Sequence, residues 1–404
     1  MALMPPNLAD RVTVELEQRQ PDRSRTLDEP PMNPSHPEQQ SDPTGLPDGP
    51  AIEAAAARIA PWVRRTPLLE IQLGAHRIEL KLECLQISGT FKARGAFSRL
   101  LRARERALAF GETPPDTVVA ASGGNHGIAV ALAAQRLGWQ AEIFVPRTAP
   151  AAKQDRLRAL GARVHAVGSE YAEALAGAED FVARTGALSS HAYDQYDTLA
   201  GQGTVALEWL QQATARGSAG GQTDRRAGGL TDAPDDDAPD DSPIREAQAE
   251  PVTRWLVAVG GGGLIGGMAA WIEACHVDSR RSHLQPLPEL IAVESEGCPT
   301  LHAALQAGRP TDIQPSGLAA DALGARRIGE RVFALRHRLA GSVLVPDADI
   351  AAAQAWLWRE ARIATEPGGA TALAAVLGGQ VAIAPGERIG VLVCGANVDP
   401  ARLT

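Results

Sequence analysis

The chain has 404 residues, of which 39 are basic and 48 acidic, for a formal charge of −9. That is ample chain for a large core and for two to three domains, while the acidic balance argues against a nucleic-acid binder. Its four cysteines, Cys84, Cys275, Cys298 and Cys394, are scattered without a CxxC pair, which argues against a disulfide scaffold or structural zinc and for a reducing, cytoplasmic setting.

Residues 1–50 are rich in Pro, Gln, Asp and Ser and read as a disordered leader that cannot offset its ordering entropy by burial. They turn polar too early for a signal peptide. An apolar helical pattern begins at residue 51 (Ile52, Ala55, Ala56, Ile59) and stops at Pro61. Short strands at 68–70 and 78–82 lead into Ser88-Gly89-Thr90-Phe91-Lys92-Ala93-Arg94-Gly95-Ala96, where Lys92 falls in the first turn of a predicted helix. A structural lysine sits better at the other end of a helix. Beside an aromatic face and partly desolvated, it becomes a usable amine nucleophile.

Strands at 118–120, 141–145 and 162–167 then alternate with helices from Ile128 to Leu137, over 150–160 and over 169–184, a pattern of parallel sheet with right-handed crossovers. From 211 to 252 it gives way to Gly, Ser, Arg and a run of Asp and Pro, which reads as a disordered acidic insertion. A strand at 255–259, a glycine run and a helix at 268–274 follow. The uncharged stretch 255–272 is long enough to cross a membrane, but Gly260, Gly261, Gly262 and Gly263 make it a poor continuous helix, so no membrane association is expected. A strand at 290–294, helices at 350–363 and 370–377, and a strand at 389–393 ending in Cys394 complete the pattern.

The glycine run joins a strand to a helix, so backbone N–H groups and a helix N-terminus converge on an anion. Gly261-Gly262-Gly263-Leu264-Ile265-Gly266 also satisfies G-x-G-x-x-G, and Glu294 closes the next strand as a ribose-binding acid would. An NAD-dependent oxidoreductase is therefore the competing class. Ser122-Gly123-Gly124-Asn125-His126-Gly127 is a second strand-to-helix turn, with a serine cap and an amide suited to a carboxylate. Cys394 ends a buried strand at the sheet edge where α/β ligands sit.

In this order, the segments 81–96, 122–127, Ala200-Gly201-Gln202-Gly203-Thr204, 260–264, Glu366-Pro367-Gly368-Gly369-Ala370 and Cys394-Gly395-Ala396-Asn397 resemble the pyridoxal-phosphate enzymes of fold type II, in particular the threonine/serine dehydratases and serine racemases. The resemblance implies two open, twisted α/β domains with mainly parallel sheets and pyridoxal 5′-phosphate between them. The large domain would comprise 51–112 and 194–404, and the small one 113–193. Lys92 is implied as the Schiff-base lysine and base for the α-proton, with Phe91 near the cofactor ring and Asn125 on its 3′-oxygen. Gly260, Gly261, Gly262, Gly263 and Leu264 would hold the phosphate, and Cys394 would face the pyridine nitrogen, where the family usually has serine. Ser122, Gly124, Asn125 and His126 would hold the substrate carboxylate.

The implied reaction is dehydration and deamination of L-threonine or L-serine to a 2-oxo acid and ammonia. Another β-elimination or β-replacement, or racemisation of serine, is the alternative. Racemases carry a serine at the position of Gly123, so racemisation is disfavoured here. Ile128 replaces a common glutamine. The family's divalent-cation site pairs an acid at the position of Glu294 with another six residues on, where this chain has Thr300, so no metal is expected. No isoleucine-type regulatory domain is expected either, whereas a homo-oligomer, dimer or tetramer, is.

Overall fold

A computed structural model describes residues 45–219, 250–284 and 286–399. The expected leader therefore lies outside the described residues as far as 44, and the acidic run lies outside them entirely. The first helix, α1 (Gly49–Ile59), starts two residues before the apolar pattern does. Asp48 caps it, accepting from the Ala51 amide at 2.9 Å, and Pro50 occupies its first turn.

Strands β1 (Leu68–Leu73) and β2 (His76–Lys81) form an antiparallel hairpin, and α2 (Lys92–Ala109) follows. Next come β3 (Thr117–Ala121), α3 (Asn125–Leu137), β4 (Gln140–Val145), α4 (Ala151–Ala159), β5 (Arg163–Ala166), α5 (Tyr171–Thr185) and β6 (Leu188–Ser189). Their strands make a parallel sheet in the order β5-β4-β3-β6.

The rest of the chain supplies α6 (Tyr196–Ala219), β7 (Arg254–Ala258), α7 (Gly263–Val277), β8 (Glu289–Ser295), α8 (Thr300–Ala307), α9 (Ala320–Leu323), α10 (Glu330–Ala334), β9 (Leu339–Val345), α11 (Asp347–Ala361), α12 (Pro367–Leu377) and β10 (Ile389–Leu392). The second sheet runs β1-β2-β10-β7-β8-β9, parallel except for β1. The fold is thus α/β with mainly parallel sheets. The uncharged stretch around 255–272 is strand, turn and helix, and no described helix is long and apolar enough to cross a membrane.

Two expectations are corrected. Residues 45–50 are not part of a disordered leader, since Asp48 caps α1 and Gly49 and Pro50 open it. Residues 211–219 belong to α6 and not to the insertion. Gln212 holds the helix on course by hydrogen-bonding Lys81 Nζ and the Thr66 carbonyl, each at 2.8 Å. These long-range partners lie outside any local pattern.

Two main cores result. The larger centres on Trp209 and Trp255, which stack with centroids 4.3 Å apart; Gly390 lies so close to both rings that a Cβ there would come within 2.6 Å of each. The other joins Ala93, Phe97 and Leu100 of α2 to Val118 and Val130 of the four-stranded unit. Because α2 also packs on α6, the seam between the sheets runs along α2, and Lys92 sits at the end of that seam.

Candidate cofactor site

The Lys92 turn is built against the chain that leaves β10. Cys84 N–H donates to the Val393 carbonyl at 2.8 Å, Phe91 N–H to the Cys394 carbonyl at 3.2 Å and Ala396 N–H to the Gly89 carbonyl at 2.8 Å. Thr90 and Gly395 form an isolated antiparallel bridge. Behind the turn, Arg94 reaches both oxygens of Glu83, at 2.7 and 2.9 Å. A buried ion pair thereby fixes the first turn of α2.

Lys92 Nζ donates to the Ala192 carbonyl at 2.8 Å and stands 5.0 Å from the centre of the Phe91 ring. Burial pushes its pKa down to about 8, against the smaller opposing pull of Cys394 and Glu366. Near neutral pH an appreciable share of this amine carries a free lone pair.

One cleft of about 450 Å3, including its open mouth, is lined by Phe91, Lys92, Asn125, Gly260, Gly261, Gly262, Gly263, Leu264 and Cys394, with Ala258, Ala322, Leu323, Glu366 and Gly368. All nine residues expected around the cofactor are thus brought together. Gly262, with φ +83°, caps α7 without any side-chain hydrogen bond to the helix end, so the first N–H groups of α7 remain free of side-chain caps. Around the loop, Cβ atoms at Gly260, Gly261 and Gly263 would come within 2.8, 2.3 and 2.7 Å of Leu323, Tyr193 and Tyr193 respectively. Close packing on both sides therefore requires the glycines.

Cys394 is buried and its thiol donates to the Gly368 carbonyl at 3.2 Å. Burial, reinforced by the nearby Glu366, pushes its pKa up, so the sulfur stays protonated and neutral.

The carboxylate loop comes only partly into the cleft. Asn125 lines it, while Ser122 and Gly124 form the turn ahead of α3. Gly124, not Ser122, is the N-cap, and Ser122 Oγ accepts from the Gly124 amide at 3.3 Å. The His126 ring is buried, with Nε2 3.0 Å from the Ser190 carbonyl. A carbonyl only accepts, so Nε2 carries the proton, and burial lowers the ring's pKa to about 3. The neutral ring is committed elsewhere; its backbone N–H, in the first turn of α3, is what remains for an anion. A Cβ at Gly123 would stand 3.3 Å from Val145, in contact with the β4 side chain.

Glu366, which the sequence offers only within the Glu-Pro-Gly-Gly-Ala segment, also lines the cleft. It accepts from Asn125 Nδ2 at 2.6 Å, and burial raises its pKa to about 7. A buried acid preceding Pro-Gly-Gly was the available signal. Glu294 is engaged at the start of α8. Its oxygens accept from the Leu301 and His302 amides at 2.7 and 2.8 Å and from the Thr300 and Ser342 hydroxyls, each at 3.1 Å. It serves the N-terminus of α8, which consumes the acid that a dinucleotide site would need.

The donor set fits pyridoxal phosphate: an amine of lowered pKa for the aldehyde, a helix end free of side-chain caps for the phosphate, and a neutral thiol compatible with an uncharged ring nitrogen. Fold and cleft together define a fold type II pyridoxal-phosphate enzyme. The model of the family "Pyridoxal-phosphate dependent enzyme" matches residues 59–220 and 243–395, and the chain belongs to that family.

Phenylserine dehydratase of Ralstonia pickettii is 33% identical over 367 residues, covering 90% of this chain and 97% of the relative. L-threonine ammonia-lyase of Thermotoga maritima is 31% identical over 323 residues, covering 80% and 67%. Among solved structures, maize serine racemase superposes with a TM-score of 0.70 at 28% identity, covering 89% of this chain and 96% of that one. For a threonine deaminase from T.th. the values are 0.69 and 31%, with 87% and 99% covered.

Proposed function

We propose that the protein is a dehydratase of β-hydroxy-α-amino acids, taking L-serine or L-threonine to a 2-oxo acid and ammonia. The observation that carries this reading is Lys92, an amine of lowered pKa lining the same cleft as the glycine turn and the neutral Cys394 thiol. Bound there, pyridoxal phosphate supplies an electron-withdrawing ring that takes up the electron pair left when the α-hydrogen departs.

Lys92 would hold the cofactor at its aldehyde, and its amine, when free, would accept the substrate's α-hydrogen as a proton. The Gly260–Gly263 amides and the N-terminus of α7 would hold the phosphate, with Phe91 lining the cleft near the ring. Cys394 places no anion at the ring nitrogen and so does not enforce its protonation. Such a setting would favour prompt loss of the β-hydroxyl, which would leave as water, the proton taken up by Lys92 balancing the departing hydroxide. The released enamine then takes up water, giving the 2-oxo acid and ammonia. Asn125, Gly124, Ser122 and the His126 amide form the substrate-carboxylate side. The same reading places the enzyme in the cytoplasm, in keeping with four free cysteines, as a homo-oligomer.

The test is product analysis of the cofactor-loaded protein with L-serine, L-threonine, phenylserine and the D-forms of serine and threonine. The expected result is 2-oxo acid and ammonia in equal amounts from an L-substrate, and none from the Lys92→Ala variant. D-serine formed as readily as pyruvate would favour racemisation instead, and a colourless protein that binds NAD would sink the reading.

A further inference from the structure

Asn125 can serve a cofactor oxygen only if its amide nitrogen faces the cleft, and an asparagine side chain has two nearly isosteric orientations. The orientation here is set from outside the cleft. Asn397, in the chain leaving β10, donates through Nδ2 to the Ser88 carbonyl at 3.1 Å and to Asn125 Oδ1 at 2.7 Å. The Ser88 carbonyl can only accept, so it fixes which end of the Asn397 amide is nitrogen. Both hydrogens of that nitrogen are then used, and the second requires an oxygen from Asn125.

On its other side, Asn397 Oδ1 accepts from Arg156 Nη2 of α4 at 2.5 Å, which opposes any flip of Asn397 itself. The turn around it leaves no slack, since a Cβ at Gly89 would lie 2.4 Å from Asn397 Oδ1. Asn125 Nδ2 is thereby turned toward Glu366, where it donates at 2.6 Å, and its second hydrogen is left for the cleft.

We infer that Asn397, backed by Arg156, is a positioning residue that locks the Asn125 amide in its cofactor-binding orientation. It touches neither cofactor nor substrate, and its whole effect on binding passes through Asn125. The inference rests on the cofactor reading above. In an Asn397→Asp variant the nitrogen facing Asn125 Oδ1 becomes an oxygen, and two acceptors would repel. Asn125 then flips or turns away, presenting an acceptor to Glu366 and to the cofactor oxygen.

The experiment is a double-mutant cycle on pyridoxal phosphate affinity, read as quenching of tryptophan emission when apoprotein is titrated with the cofactor. Melting of each apoprotein is followed in parallel. Asn397→Asp in the otherwise native chain is expected to weaken binding about tenfold, the loss of one well-made hydrogen bond. In an Asn125→Ala background the same change is expected to alter binding by less than about twofold, because the group it acts through is gone. An equal loss in both backgrounds, or no loss in the native chain, would overturn the inference. Should Asn397→Asp lower apoprotein melting too far for titration, Asn397→Ser replaces it in the same cycle and is judged by the same two outcomes. A native chain that takes up no pyridoxal phosphate would instead overturn the cofactor reading, and this inference with it.

Discussion

The amide of Phe91 donates to the carbonyl of Cys394 at 3.2 Å, so the residue preceding the lysine and the residue ending the β10 edge share a backbone bond. That bond, with the Thr90–Gly395 bridge beside it, joins the amine wall of the cleft to the thiol wall before any ligand enters. Residues 91 and 394, far apart in sequence, are thereby parts of one rigid corner.

Cys394→Ser should retain activity within a few-fold, because a hydroxyl keeps the donor to the Gly368 carbonyl and remains neutral. Cys394→Ala removes this second donor from a carbonyl that keeps its partner within α12 and should lower apoprotein stability by about 0.5–1.5 kcal/mol. Denaturant unfolding of the two apoproteins checks the difference. Equal midpoints would mean that a side-chain donor to the Gly368 carbonyl contributes nothing to stability.

Capture of the cofactor by the apoprotein needs Lys92 in its neutral form. Its pKa is lowered to about 8, so the uncharged fraction rises with pH and saturates above that value. The capture rate should increase up to about tenfold per pH unit between roughly 6 and 7.5 and flatten near pH 9. Stopped-flow absorbance on the apoprotein measures this directly. A rate still climbing steeply at pH 10 would show an ordinary, solvated lysine.

Much of the cleft's lining was legible in the sequence because glycine turns and the lysine turn are local features: four consecutive glycines at Gly260–Gly263 already call for a tight strand-to-helix turn. Glu294 was not legible, since strand-end acids look alike until the fold places the start of α8 over one of them. Strand β9 escaped notice because Gly341 and Ser342 break its apolar run, although its partner β8 supplies the pairing. For α6, a local loss of apolar pattern at 211 was overridden by Gln212, whose partners Lys81 and Thr66 are more than a hundred residues away. In the carboxylate loop, His126 could be read as a ligand from its neighbours alone, but only the fold places Ser190 against its ring.

Glu83 and Arg94 form a pair with 0% and 2% of their side-chain surfaces exposed, and Glu208 is a second partner of Arg94 at 3.0 Å, so removing Glu83 takes away the two-pronged partner of a buried guanidinium without leaving it unpaired. Glu83→Gln should cost about 1.5–3 kcal/mol, the loss of charge-assisted hydrogen bonds to a guanidinium that keeps Glu208, and, by loosening the first turn of α2, weaken cofactor capture as well. Because Arg94, with help from Lys81 and Thr66, holds the folded pKa of Glu83 below its ordinary value, the stabilisation is complete above the unfolded value of about 4.3 and is lost as pH falls through the folded one. The stability gap between native and variant chains should therefore stay constant from pH 7 to about 5 and narrow below that. Urea titrations across this range provide the check, and a gap that widened in acid would contradict the assignment.

Gly262 and Gly74 separate backbone strain from packing at the phosphate loop. Both have positive φ, +83° and +58°, and an alanine at either should cost about 1–2 kcal/mol for the left-handed backbone alone. At Gly74 a Cβ meets nothing within 4 Å, whereas at Gly262 it would lie 2.6 Å from Ile328 and 2.7 Å from Val332. Gly262→Ala must also displace those side chains or tilt the start of α7, and tilting moves the very amides that face the phosphate. It should therefore destabilise the apoprotein more than Gly74→Ala and, unlike that control, raise the dissociation constant for pyridoxal phosphate at least tenfold by the loss of about 1.4 kcal/mol or more. Melting and fluorescence titration of the two variants decide the matter. If Gly262→Ala were destabilising but bound the cofactor normally, the loop would be a packing device and the phosphate would have to be held elsewhere.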